Sequence, residues 1–241
     1  MVVKGRPVTI LFILLFITTS GCASLPCRTH PELEARSKTI KTLGLLSPNV
    51  VIYSFSFKHV TVPEDDWSAE GSENIQKALT EFFKKTPFGI KSITVDKGLE
   101  KEMEDVFALY EAVSLSIQLH TYGGFKFPEE MTNFQYSIGP IHDILERYDA
   151  DALLFIEAVD EVSTTGRKAM KVGMILALPV TKSPFLPRAG VTTLSAAFVD
   201  SEGTILWYNM KSSKGGFNLR KPGSAARLIH HVFSSFPGLN K

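Results

Sequence analysis

Apolar residues recur along this chain in three spacings, and each spacing predicts a different kind of element. An almost unbroken run over residues 8–17 follows Lys4 and Arg6 and gives way to small and polar residues up to Gly21 and Cys22. A short basic region, a short apolar core and a small-residue site have the layout of a secretory leader; a membrane-spanning helix would need ~20 apolar residues. Alternation appears over residues 50–57, where Tyr53, Phe55 and Phe57 interleave with Ser54 and Ser56. That period predicts a strand with the three aromatics on one face. Helical spacing predicts four longer elements. Ile75, Ala78, Leu79, Phe82 and Phe83 mark a helix over about 72–85, which Pro87 ends. Met103, Val106, Phe107, Tyr110, Val113 and Ile117 mark one over about 99–120. Ile141, Ile144, Leu145 and Tyr148 follow Pro140, and Ala225, Ile229, Val232, Phe233 and Phe236 mark the last helix, over 222–236.

Further strands are expected over 90–95, 152–159, 169–178, 191–199 and 204–210. The continuous apolar run at 152–159 predicts a strand covered on both faces. Asp200, Ser201, Glu202 and Gly203 join the last two strands as a hairpin. Early alternation of strand and helix, then a run of strands, predicts an α/β fold with a mixed β-sheet and packed helices. The expected division is a leader over 1–21, a tether and N-terminal arm over 22–46, and one α/β domain over 47–241. Within the arm, residues 31–40 read as a short helix or irregular segment.

Composition narrows the function classes. With 44% hydrophobic residues the chain can build a real core, and a formal net charge of +1 leaves no electrostatic footprint for nucleic acid. His230 and His231 are neighbours and would point about 100° apart on a helix, so they cannot share a metal ion. Glu64, Asp65 and Asp66 lack the ligand spacing of a calcium loop. No Gly-x-Ser-x-Gly elbow occurs, and Gly215-Gly216 lacks phosphate-loop spacing. No catalytic residue, cofactor or metal site is therefore expected. Glu157 with Asp160 and Glu161 is read as a solvated strand end, although a carboxylate pair there would suit acid–base work. Cys27 is left as a spare thiol, read as idle rather than as half of an intermolecular disulfide. Residues 122–139 break the periodicity with glycines, a proline and five aromatics, Tyr122, Phe125, Phe127, Phe134 and Tyr136. They read either as a loop folded on the core or as a docking surface. With Phe185 and Leu186 in the proline-rich connection over 179–190, they are the candidate partner contacts.

Two resemblances add to this reading. Ser20, Gly21 and Cys22 resemble the lipobox of bacterial lipoproteins, with Thr19 standing where that family has an aliphatic residue. The resemblance implies cleavage before Cys22 and lipidation of Cys22. Ala23, rather than aspartate, resembles the pattern of lipoproteins sent to the outer membrane. Residues 148–155, the hairpin over 197–207 and the opening strand and helix resemble the curli-secretion lipoprotein family and the amino-terminal domain of the Tol translocation protein TolB. That similarity spans roughly 47–237. It implies a sandwich of mixed sheet and helices and a part in envelope assembly, secretion or protein contact, and it supplies no catalytic residue. The candidate for a membrane-inserted hairpin, residues 170–178 with a tip at 179–190, lacks a clean polar face, and a pore is not expected.

The sequence thus points to a non-catalytic, lipid-anchored adaptor on the periplasmic face of the outer membrane. It would be tied to the bilayer through Cys22 and bound to an envelope protein, and a homo-oligomer is compatible with that role. The alternative is a periplasmic small-ligand binder or hydrolase with a pocket between residues 157–161 and 212–217.

Overall fold

The computed structural model describes residues 27–55, 61–123, 127–164 and 190–237. Its strands are β1 (Arg28–Thr29), β2 (Thr42–Leu45), β3 (Asn49–Phe55), β4 (Thr61–Pro63), β5 (Gly89–Ser92), β6 (Ala152–Ser163), β7 (Val191–Asp200) and β8 (Ile205–Lys214). Its helices are α1 (Leu33–Arg36), α2 (Asp65–Phe83), α3 (Glu100–Ile117), α4 (Pro128–Thr132), α5 (His142–Arg147) and α6 (Pro222–Phe233). A π-helical turn, Gln118–Tyr122, prolongs α3. The leader, Cys22, Phe125, Phe185, Leu186 and the expected strand over 169–178 lie outside the described residues.

The strands make one mixed sheet around β6. On one side β6 pairs antiparallel with β7, from Ala152 opposite Asp200 to Asp160 opposite Thr192. On the other side it pairs in parallel with β2 over its first residues and with β3 over its last. Leu45 stands opposite Leu154 but Asn49 opposite Glu157, so the linking residues 46–48 hold one residue more than β6 does there. Pro48, which has no N–H to give a ladder, sits in that break. Beyond it the outer edges diverge, with β5 parallel to β2 and β4 antiparallel to β3.

Parity along β6 distributes the core. Leu154, Ile156 and Ala158 face α2 and α6, whereas Leu153 and Phe155 face α3 and α5. Both faces are covered, as the unbroken apolar run requires, and the result is a helix–sheet–helix sandwich. On the first face Phe82 and Phe83 of α2, Phe233 of α6, Phe236 and Trp207 form a ring cluster, their neighbouring centroids between 5.1 and 5.6 Å apart. Edge-on and tilted pairs at that spacing add to the burial itself. A bulge in β8 sets Leu206 and Trp207 against this same core. On the second face Tyr110 stacks on Phe155 at 4.2 Å.

Several expectations are corrected. Thr42–Leu45, assigned to the arm, is an inner strand with Leu43 and Leu45 at 0% exposure. Arg28–Thr29, assigned to the tether, pairs antiparallel with β8. The folded body therefore begins well before residue 47. Helix α2 starts seven residues before its expected position, because its first two turns are polar and carry no apolar stripe. In β3 the buried positions are Val50, Ile52 and Phe55, whereas Tyr53 is half-buried. The helix cover, not the aromatic alternation, selects the inner face.

Candidate functional site

Two polar clusters and one apolar surface hold the residues that could act. The first cluster lies between α3 and the sheet. Glu157 points to the second face from β6, and its carboxylate accepts hydrogen bonds from Ser114 of α3 at 2.8 Å and Ser195 of β7 at 3.2 Å. Ser114 and the Tyr208 hydroxyl lie 3.0 Å apart, and the Gln118 amide donates to both at 3.1 Å. Burial raises the Glu157 pKa above its ordinary range, against the two serine hydroxyls, which favour the ionised form. Burial likewise pushes Tyr208 up to about 12 and raises Tyr110 strongly. Ser114 and Gln118, bonded to Glu157 and Tyr208, fasten the end of α3 to the sheet.

The second cluster lies on the opposite face. Asp160, fully buried, accepts from the Thr192 hydroxyl at 2.7 Å and from the Leu219 backbone N–H at 2.8 Å. Burial raises its pKa, and these two donors oppose the rise. It fixes the segment between β8 and α6. Because side chains alternate along a strand, Glu157 and Asp160 emerge on different faces, and Glu157 and Glu161 lie about 13 Å apart along the same face. The three carboxylates do not converge, and the expected solvated strand end is corrected: Asp160 is buried and Glu157 is half-buried beneath α3.

At the carboxyl end of β6, Trp67, Glu70, Val162, Thr164, Asn218 and Arg220 line a cavity of 290 Å³. Two of its charged groups are engaged with each other, and Lys221 also lines it. Arg220 pairs with Glu70 at 2.9 Å and lies over the Trp67 ring at 4.2 Å. A larger hollow of 730 Å³ runs between α1 and α5, where Arg36 bonds Asp200 at 2.8 Å and Asp151 accepts the Lys41 and Thr42 N–H groups. Among the described residues no group of three or more His, Cys, Asp or Glu side chains could hold a metal ion.

The aromatic stretch divides. Tyr122 and Phe134 are buried, and the Tyr136 hydroxyl is enclosed, so these three rings belong to the second core rather than to an outer surface. The backbone folds them in through Ile205 N–H donating to the Tyr136 carbonyl and Ile138 N–H donating to the Gly203 carbonyl. Phe127 does face outward, 52% exposed, with its ring 4.6 Å from His120. It continues an apolar surface on α3 that the sequence analysis did not single out, because the inward stripe of the helix accounts for most of its apolar residues. Leu109, Leu115 and Leu119 are 51%, 56% and 44% exposed. With Phe127 they make four of the six large apolar side chains exposed among the described residues. The signal was in the sequence: residues 106–119 hold one charge, Glu111.

The chain enters the fold beside this surface. Arg28 donates to the Thr121 carbonyl at 3.3 Å and lies over the Tyr122 ring at 5.8 Å. Comparison with protein-family models, with curated proteins and with solved structures finds no match to this chain.

Proposed function

We propose that the protein is a lipid-anchored, non-catalytic adaptor held at the periplasmic face of the outer membrane, where it contacts an envelope assembly or secretion complex. The observation that carries this reading is the placement of β1. Six residues after the candidate lipidated Cys22, the chain is already part of the sheet. A body tethered that closely works at the membrane surface and not across the periplasm. The occupied state of the polar groups supports a structural role: Glu157, Asp160 and Arg220 each hold elements together. The small-ligand alternative has weaker support, because the cavity at the strand ends is narrow and its Arg220 and Glu70 are paired with each other. The relationship to curli-secretion lipoproteins and the TolB amino-terminal domain remains part of this proposal, supported by a mixed sheet between helix layers.

The test is purification of the native protein from detergent-solubilised envelope, with mass spectrometry of its amino terminus and of whatever accompanies it. An acylated Cys22 and a stoichiometric envelope partner are expected. Recovery of the protein alone, or of an amino terminus without acyl chains, would overturn the proposal.

A further inference from the structure

Scattered exposed leucines need no explanation, but a contiguous set does. Leu109, Leu115 and Leu119 fall within about 120° of the helix circumference, and Phe127 packs on His120, the residue after Leu119. The acidic part of α3, with Glu100, Glu102, Glu104 and Asp105, lies at its other end. The apolar end is the one that meets the chain's entry point, through Arg28 and Thr121. Five residue steps separate Cys27 from Cys22, and an extended chain covers at most about 18 Å in that number. An acyl anchor at Cys22 thus lies within that distance of Cys27, whose neighbour Arg28 contacts the apolar end of α3.

From this placement we infer that the outer face of the carboxyl half of α3, with Phe127, lies on the bilayer that holds the anchor. The inference rests on the lipidation proposed above. The occupant is lipid rather than protein because the patch is tied by a short leash to the one site where lipid would be attached. Within residues 106–119 the one charge is Glu111, while Glu129 and Glu130 stand at the rim beyond Phe127. A helix bound in this way sinks its apolar side by ~5–10 Å into the boundary between headgroups and acyl chains. The anchor then supplies attachment and the helix face supplies orientation, turning the α2 and α6 layer, on the other face of the sheet, away from the membrane.

The experiment uses full-length protein, processed in cells and reconstituted into phosphatidylethanolamine–phosphatidylglycerol vesicles containing brominated lipid. Tryptophan is introduced in separate variants at two exposed positions, Leu119→Trp and Val62→Trp, and mass spectrometry first establishes the state of Cys22. With Cys22 acylated, Trp at 119 should lose at least about twice as much added fluorescence to bromine as Trp at 62, as its expected depth requires. Equal quenching at the two positions with Cys22 acylated would overturn the docking and leave the anchor standing. Shielding of position 119 without quenching, together with cross-linked dimers, would assign the patch to a second copy and also overturn it. An unmodified Cys22 would remove the anchor itself, and with it the basis for the inference.

Discussion

Glu157 shows how a residue that could do chemistry serves as a clamp. Its carboxyl is held above the ordinary 4.5 by burial, with Ser114 and Ser195 pulling the other way. A carboxyl whose pKa rises on folding binds its proton more tightly in the native chain than in the unfolded one. Its stabilising share is whole below the unfolded value and is lost as the pH rises through the folded value. Urea midpoints measured from about pH 4 to about pH 8 should therefore fall in the native protein relative to Glu157→Gln, whose side chain does not titrate. A constant gap between the two would show that the carboxyl is not shifted. Ser114→Ala removes the donor to Glu157 and the partner of Tyr208 together. Leaving those buried groups short should cost about 1–3 kcal/mol in the same measurement near neutral pH. No single-residue motif announced this cluster. Ser114, Glu157, Ser195 and Tyr208 come from four elements, α3, β6, β7 and β8, and strand pairing with helix packing brings them together.

The hairpin of β7 and β8 and the short strand β2 mark the two extremes of what could be read at the level of elements. Asp200 to Gly203 announced the hairpin through turn chemistry: the Asp200 carboxylate accepts the Glu202 and Thr204 N–H groups, and Gly203 takes φ +72°. A Cβ on Gly203 would lie 1.7 Å from the Gly139 carbonyl oxygen. Gly203→Ala should thus destabilise by at least about 1–3 kcal/mol. Gly223, in the first turn of α6, has nothing within 4 Å of its would-be Cβ, and alanine there should be neutral or gain up to ~1 kcal/mol. Thermal or urea unfolding of the two variants separates a turn requirement from glycine's general cost. β2 gave no comparable signal. Four residues, Thr42 to Leu45, are too few to show a period, and Gly44 is there because Ile93 and Leu153 close over it. The long helices were legible because each buries an inward stripe. The polar start of α2 and the five-residue α4 were not, since tertiary packing rather than local pattern maintains them.

At the scale of the whole molecule, the question is how firmly the body is joined to its tether. β1 is two residues long, and so short a strand at a sheet edge is weak in itself. The Arg28 side chain strengthens it, passing under the π-helical turn to donate to the Thr121 carbonyl and lie over Tyr122. Arg28→Ala would remove that hydrogen bond, the cation–π contact and the packing of the stem, and should lower stability by about 1–3 kcal/mol. The more telling effect should be local. Amide hydrogen exchange ought to accelerate at residues 28–30 and 118–122 while the central strand β6 keeps its protection, because opening an edge does not require global unfolding. Such release would lengthen the free leash beyond Cys27 and separate the apolar end of α3 from the anchor. In vesicles, the Leu119→Trp probe should then lose part of its quenching in the Arg28→Ala background even though Cys22 remains acylated. Unchanged quenching, with exchange at 28–30 accelerated, would mean that the helix face holds the bilayer without help from the strand.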